Sequence, residues 1–204
     1  MFIVIEGLDG SGKTTQIEML RDRLQGRGEA CYLTAEPTEL PTGRFIRSIL
    51  RKEITADPKT VAALYAADRI EHIFHPEEGM LRKLADGYHV ISSRYYFSSL
   101  AYQSEFAPPG WVASLNMLAK QTLPADLTIF LDLEPEQSME RISARGETPE
   151  LFETLEKLTD VRQNFHLAFE HFSAGENVHF IDASRDLVTI ADEIAELVDD
   201  YLAG

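Results

Sequence analysis

The sequence predicts an α/β fold, a five-stranded parallel sheet with helices on both faces. Three observations carry that prediction. Apolar runs of five to seven residues alternate with stretches of helical periodicity. The runs lack strict apolar–polar alternation, as strands buried on both faces do. A glycine-rich loop follows the first run directly, and ligands in open parallel sheets gather at the carboxyl ends of strands.

The elements follow in order. FIVIE (2–6) is the first strand. From Thr14 onward Ile17, Leu20 and Leu24 keep helical spacing, and Gly26 and Gly28 end the helix. ACYLT (30–34) is the second strand, expected to be buried, which would make Cys31 an inert core thiol. A short helix is predicted over 42–51 and a longer one over 58–75, where Pro76 forces a break. HVISS (89–93) is the third strand, 110–122 a helix and LTIFLDL (127–133) the fourth strand. Residues 135–145 read as a helix with a basic end, and GETPE (146–150) as a loop. Leu151, Leu155, Leu158, Phe165, Phe169 and Phe172 predict a long amphipathic helix over 151–172. VHFID (178–182) is the last strand. In the closing helix (186–202), Leu187, Ile190, Ile194, Leu197 and Tyr201 lie on one face.

The totals narrow the class. A chain of 204 residues without a linker or repeat suits one domain, 1–204. A net charge of −15 argues against a nucleic-acid polymer as partner, because phosphate backbones would be repelled. A small anion needs only a local basic pocket. With one cysteine, no internal disulfide or thiolate cluster forms. The start MFIVIEG lacks a basic leader region, and no apolar run reaches bilayer length, so a cytoplasmic protein off the membrane is expected.

The loop is GLDGSGKTT, from Gly7 to Thr15, and fits G-x-x-x-x-G-K-[ST]. Gly7, Gly10, Ser11 and Gly12 let backbone N–H groups turn inward around phosphate oxygens. The helix that starts near Lys13 adds its positive end. Lys13 reaches the β- and γ-phosphates, and the Thr14 hydroxyl, beside Thr15, is placed to ligate Mg²⁺. The loop thus predicts ATP or GTP. The three asparagines, Asn116, Asn164 and Asn177, lie outside any N-K-x-D, and no D-x-x-G follows a strand, so a GTPase is disfavoured. A kinase needs a second anion site; Arg44, Arg47, Arg51, Arg69, Arg94, Arg141 and Arg145 supply candidates.

Six segments together resemble the thymidylate kinase family of nucleoside-monophosphate kinases: IEGLDGSGKTTQ (5–16), EPT (36–38), LYAADRIEHI (64–73), SRYYFSSLAYQ (93–103), ADLTIFLDL (125–133) and RISARGE (141–147). The resemblance implies a P-loop kinase with a lid at about 143–153 that transfers the ATP γ-phosphoryl to dTMP. It implies a homodimer as well. Asp9 would then meet the acceptor's sugar hydroxyl, Tyr65 would stack on thymine and Arg69 would donate to thymine O4. Arg94 and Arg47 would clamp the acceptor phosphate, with Glu36 near the acceptor or metal. Tyr102 would crowd the 2′ position, and Ser98 and Gln103 would complete the base edge. Arg145 would supply the lid's catalytic charge, and Arg141 would pack on adenine.

Three positions depart from the family pattern. Ser93 stands where an Asp usually precedes Arg-Tyr. Ala35 replaces the arginine of R-E-P. No further arginine follows Arg145 between Thr148 and Glu153, so Lys157 or Arg162 enter as possible helpers. His72 and His75 are one turn apart but lack a third metal ligand, Asp132 reads as structural and Trp111 as a packing residue. Two other readings stand beside dTMP kinase. One is a kinase for another deoxynucleotide or a deoxynucleoside. The other is a catalytically weakened nucleotide-binding module.

Overall fold

A computed structural model describes residues 1–144 and 154–203. Among them are five parallel strands: β1 (Phe2–Gly7), β2 (Cys31–Ala35), β3 (His89–Ser93), β4 (Leu127–Asp132) and β5 (Val178–Asp182). The sheet order is β2-β3-β1-β4-β5. β1 is central and buried along its whole length. It pairs with β3 (Ile5 opposite Ser93) and with β4 (Gly7 opposite Leu131).

Strand geometry divides the core in two. Successive side chains of β1 point to opposite faces. Phe2 and Val4 join one cluster, with Phe97, Phe130, Phe165 and Phe169. Ile3 and Ile5 join the other, with Leu20, Ile129 and Ile194. The described helices cover both faces: α1 (Lys13–Gln25), α2 (Pro41–Leu50), α3 (Pro58–Phe74), α4 (Met80–Ala85), α5 (Tyr96–Gln103), α6 (Pro109–Thr122), α7 (Pro135–Ser143), α8 (Leu155–Phe172) and α9 (Leu187–Ala203). Several start on residues suited to the task. Proline sits in the first turn of α2, α3, α6 and α7, where its missing N–H costs nothing. Asp57 caps α3 through the Lys59 N–H at 2.8 Å, and Asp186 meets the Thr189 N–H at 3.0 Å before α9.

Some expectations need correction. β2 is a sheet edge and only half-buried, so Cys31 is not a core thiol. Its thiol is nonetheless pushed up, by partial burial and then by the neighbouring Glu29 charge. Trp111 lies exposed on α6 rather than packed. α4 and α5 escape a periodicity reading. α4 has six residues, and all eight of α5 are buried, so neither shows an apolar stripe against a polar face. α8 begins at Leu155, capped by Thr154, whereas the sequence suggests 151; Leu151 and the 146–150 loop lie outside the described residues. No helix among the described residues is long and apolar enough to cross a membrane.

Candidate active site

The loop between β1 and α1 is held open by its own backbone. Gly10 and Gly12 adopt φ values of 81° and 95°, in the left-handed region that glycine tolerates. A Cβ at Gly10 would also stand 2.9 Å from the Ser138 carbonyl oxygen. Ser138 Oγ donates to the Asp9 carbonyl and ties the loop to α7. No side chain caps α1 at Gly12, so its first N–H groups face a cleft lined by Asp9, Gly10, Lys13, Thr14, Thr15, Ser93 and Arg94. Lys13 is folded across the loop, where Nζ donates to Leu8 O at 2.7 Å and Gly7 O at 3.0 Å. A helix N-terminus and a lysine at one cleft are features that can hold an anion.

Arg94 leaves β3 with φ 71°, which costs a residue bearing a Cβ about 1–2 kcal/mol. The turn brings its guanidinium into a dense set of acceptors. Nη2 donates to Asp9 Oδ1 at 2.5 Å and to Tyr102 Oη at 3.1 Å. Nη1 donates to Ser98 Oγ at 3.1 Å and Gly7 O at 3.2 Å. Tyr102 in turn donates to Asp9 Oδ2 at 3.1 Å. Desolvation by itself would raise the Asp9 carboxyl. Arg94 and then Lys13 outweigh it, and Asp9 is held at about 2.

The sign of that shift fixes a pH window. A folded-state value below the unfolded one stabilises at all pH above the unfolded value, and the gain fades as pH falls toward the folded one. We expect the stability difference between wild type and Asp9→Asn to be constant above about pH 5 and to shrink between about pH 4 and 2. Urea unfolding across that range measures it, and a difference that grows on acidification would contradict the ion pair.

Beyond Arg94 lies a partly open pocket of about 100 Å³, lined by Asp9, Glu36, Pro37, Leu50, Tyr65, Arg69, Arg94, Ser98, Ser99, Tyr102 and Gln103. Its floor is ionic. Arg69 and Glu36 have side chains 1% exposed and approach to 2.5 Å. Arg69 Nε donates to Glu36 Oε2 at 2.8 Å, Nη1 to Ser99 Oγ at 3.0 Å and to Asn116 Oδ1, and Nη2 to the Tyr95 carbonyl at 3.0 Å. The expectation of Arg69 as a ready donor to a base carbonyl therefore changes. Its fork is already engaged within the protein, so a ligand carbonyl must share one of these N–H groups. Glu36 is no surface carboxylate, since it also meets His72 Nδ1 at 3.0 Å. His72 Nε2 contacts Thr34 Oγ1 at 2.6 Å, while His75 Nδ1 accepts the Glu77 and Glu78 N–H groups, so the two histidines do not converge.

Other expected residues sit elsewhere. Arg47 lines a separate cleft over β2; it bonds the Pro37 carbonyl, meets Glu39 at 2.6 Å, and its Nε has no partner among the described residues. Arg141 Nη2 donates to Ala183 O at 3.0 Å, and Nη1 reaches Gly10 O at 3.5 Å, which spans the loop and the end of β5. Arg162 pairs with Asp132 at 2.7 Å, which makes Asp132 structural, and Lys157 pairs with Glu105. Both are engaged in these pairs, and the 145–153 segment they would assist lies outside the described residues. Arg145 lies outside the described residues.

The sequence reading missed three participants. Ser99, rather than Ser98, turns its hydroxyl to Arg69, and Asn116 backs the same guanidinium. The phase of the Ser98–Ser99 pair follows from α5, which periodicity does not reveal. Glu6, 0% exposed, accepts from Tyr95 and Ser98. Its one signal was a carboxylate that closes an otherwise apolar strand.

Comparison with known proteins bears on this arrangement. The thymidylate kinase family model matches residues 5–194. A probable thymidylate kinase of Caldivirga maquilingensis is 34% identical over 206 residues, covering 100% of this chain and 96% of the relative. A probable thymidylate kinase of Pyrobaculum aerophilum is 40% identical over 198 residues (97% and 95%), and a thymidylate kinase of Leptospira borgpetersenii is 36% identical over 167 (81% and 80%). The match begins inside β1 and runs through the Gly7–Thr15 loop, Arg94 and the pocket walls into α9. This chain belongs to the thymidylate kinase family.

Proposed function

We propose that this thymidylate kinase, which phosphorylates dTMP to dTDP with ATP, seats the triphosphate on the Gly7–Thr15 loop and dTMP in the pocket beyond Arg94. The observation that carries the assignment is that cradle and pocket share a wall, for Asp9 and Arg94 line both. Phosphoryl transfer asks for little beyond in-line positioning and charge stabilisation, and a shared wall supplies the first.

The acceptor's base lies against Tyr65, with its carbonyl edge toward Arg69 and Ser99. Gln103 supports this placement: its Oε1 is buried and has no hydrogen-bond partner among the described residues, which suits a pyrimidine N–H. Arg94 meets the acceptor phosphate and Tyr102 crowds the 2′ position. Asp9 takes the sugar hydroxyl. Arg47, held behind Pro37, joins the clamp only after its head leaves Glu39. On the donor side Lys13 and, from the 143–153 segment, Arg145 meet the charge of the transferred phosphoryl, while Arg141 packs on adenine.

Mg²⁺ fits this donor set. Among the described residues no group of three or more His, Cys, Asp or Glu could hold a metal, but Thr14, Ser93 and Asp9 line the cleft. Such sparse oxygen donors suit an ion that keeps several waters and rests on substrate phosphates. When bound it neutralises charge on the β- and γ-oxygens. Ser93 gives a test. Ser93→Asp restores a carboxylate beside Thr14, and we expect a lower half-saturating Mg²⁺ concentration and a severalfold higher kcat; unchanged Mg²⁺ titrations would make the position silent. A homodimer is supported by apolar side chains exposed on the neighbouring helices α2, α3 and α6, among them Phe45, Phe74, Trp111 and Leu118. Light scattering tests it.

A coupled assay with ATP, Mg²⁺ and dTMP, dUMP, dCMP or thymidine tests the whole reading. We expect ADP release to be fastest with dTMP and absent with thymidine. ATP binding without acceptor-dependent ADP release would overturn it.

A further inference from the structure

Glu6 is the last side chain of β1 before the cradle, and 0% of it is exposed. Its carboxylate leaves its own strand for the neighbouring β3–α5 junction. Oε1 accepts the Tyr95 N–H at 2.8 Å and the Ser98 N–H at 3.2 Å, and Oε2 accepts the Ser98 hydroxyl at 2.5 Å. No side chain of α5 caps that helix, so Glu6 performs the capping from another strand. Burial pushes the Glu6 carboxyl up, while Ser98, Arg94 and the Tyr95 N–H pull the other way.

The geometry points to Glu6 as the positioning residue that sets Arg94. The polarity of the Ser98 hydroxyl links the two. Ser98 has a single O–H, and Glu6 takes it. The lone pairs of Ser98 Oγ are then left for Arg94 Nη1, which donates to them at 3.1 Å. From the other side the Arg94 N–H is held by Ile5 O at 3.0 Å, one residue before Glu6. Residues 5 and 6 therefore fix both ends of the arginine, its backbone in the left-handed turn and its guanidinium between cradle and pocket. An amide in place of the carboxylate keeps the shape. With its oxygen on the two backbone N–H groups, its NH₂ must donate to Ser98 Oγ. Both lone pairs of Ser98 Oγ are then taken, one by the amide and one by Arg94, and its hydrogen loses the carboxylate that fixed the hydroxyl's orientation.

This inference rests on the proposed placement of dTMP beside Arg94, and its test separates the two. Steady-state kinetics with ATP and dTMP are measured on wild type, Glu6→Gln, Ser98→Ala and the double variant, with melting temperatures alongside. We expect Glu6→Gln to lower kcat/KM for dTMP about a hundredfold, the scale of a misplaced catalytic group, with KM for ATP little changed. Because Glu6 acts through Ser98, the double variant should be no worse than the poorer single one. A purely structural role would instead track the melting temperature and give additive losses. Wild-type kcat/KM in folded Glu6→Gln, or additive losses in the double variant, overturns the assignment. Should Glu6→Gln not fold, Ser98→Ala decides: it removes the acceptor that faces Arg94 and leaves the carboxylate its two N–H donors, so wild-type kinetics there overturn the assignment too. Wild-type protein without dTMP-dependent ADP release rejects the proposed function, and this inference with it.

Discussion

Lys13→Ala is expected to all but abolish turnover, with a loss of about a thousandfold in kcat. The reason is visible without a nucleotide. Lys13 Nζ lies over the loop, donating to the carbonyls of Gly7 and Leu8, within the cleft that Thr14 and Arg94 also line. A bound triphosphate offers the same ammonium oxygens of far greater charge. Among the described residues no other lysine lines that cleft, and Arg94 already faces Asp9. Alanine leaves two backbone carbonyls to find other donors, a modest cost for the fold beside the lost phosphate contact. ADP release at saturating dTMP measures the effect. Turnover near that of wild type would remove the phosphate assignment on which the mechanism stands.

Arg69→Ala is expected to have its largest effect on stability, about 3–5 kcal/mol. Glu36 would remain in the interior with its main countercharge gone, beside a His72 ring that neutralises it only when protonated. Ser99, Asn116 and the Tyr95 carbonyl would lose a donor as well. In a chain of this length such a loss lowers the melting temperature by about 10 °C. The resemblance alone suggests a different outcome: a higher KM for dTMP with the fold intact. Arg69→Lys restores charge but cannot reproduce the fork, so it should recover only part of the stability. The pair Arg69→Met with Glu36→Leu should recover more than Arg69→Ala, because no buried charge is left unpaired. A melting temperature unchanged in Arg69→Ala would show that the buried pair is not what holds this wall.

Much of this protein can be read from order along the chain. The five strands, and every helix with a polar face, follow from local periodicity, because a side chain's burial there depends on its phase within one element. The cradle is likewise local. Nine consecutive residues from Gly7 to Thr15 carry the turn, the lysine and the helix start, and no distant segment is needed to define them. Arg94 stood among the candidate arginines, but its place beside an acceptor, like that of Tyr102, was legible only through the resemblance. Tyr102 lies on α5, whose eight residues are all buried and so show no phase.

What tertiary structure decided is which charged groups face one another. Nothing in the sequence pairs Glu6 with Ser98 or Arg69 with Glu36. Folding takes Glu6, Arg69 and Glu36 out of water, and a desolvated charge must find a partner wherever the fold supplies one, 92 residues away for Glu6 and Ser98 and 33 for Arg69 and Glu36. Parallel strand order sets those pairings: β1 lies beside β3, so the end of one strand caps the helix after the other. Sequence alone therefore determined the fold class and the turn from β1 into α1 at Gly7–Thr15. The structure decided that Arg69 braces the pocket and that Ser99, not Ser98, offers it a hydroxyl, since burial and sheet order are properties of the folded whole.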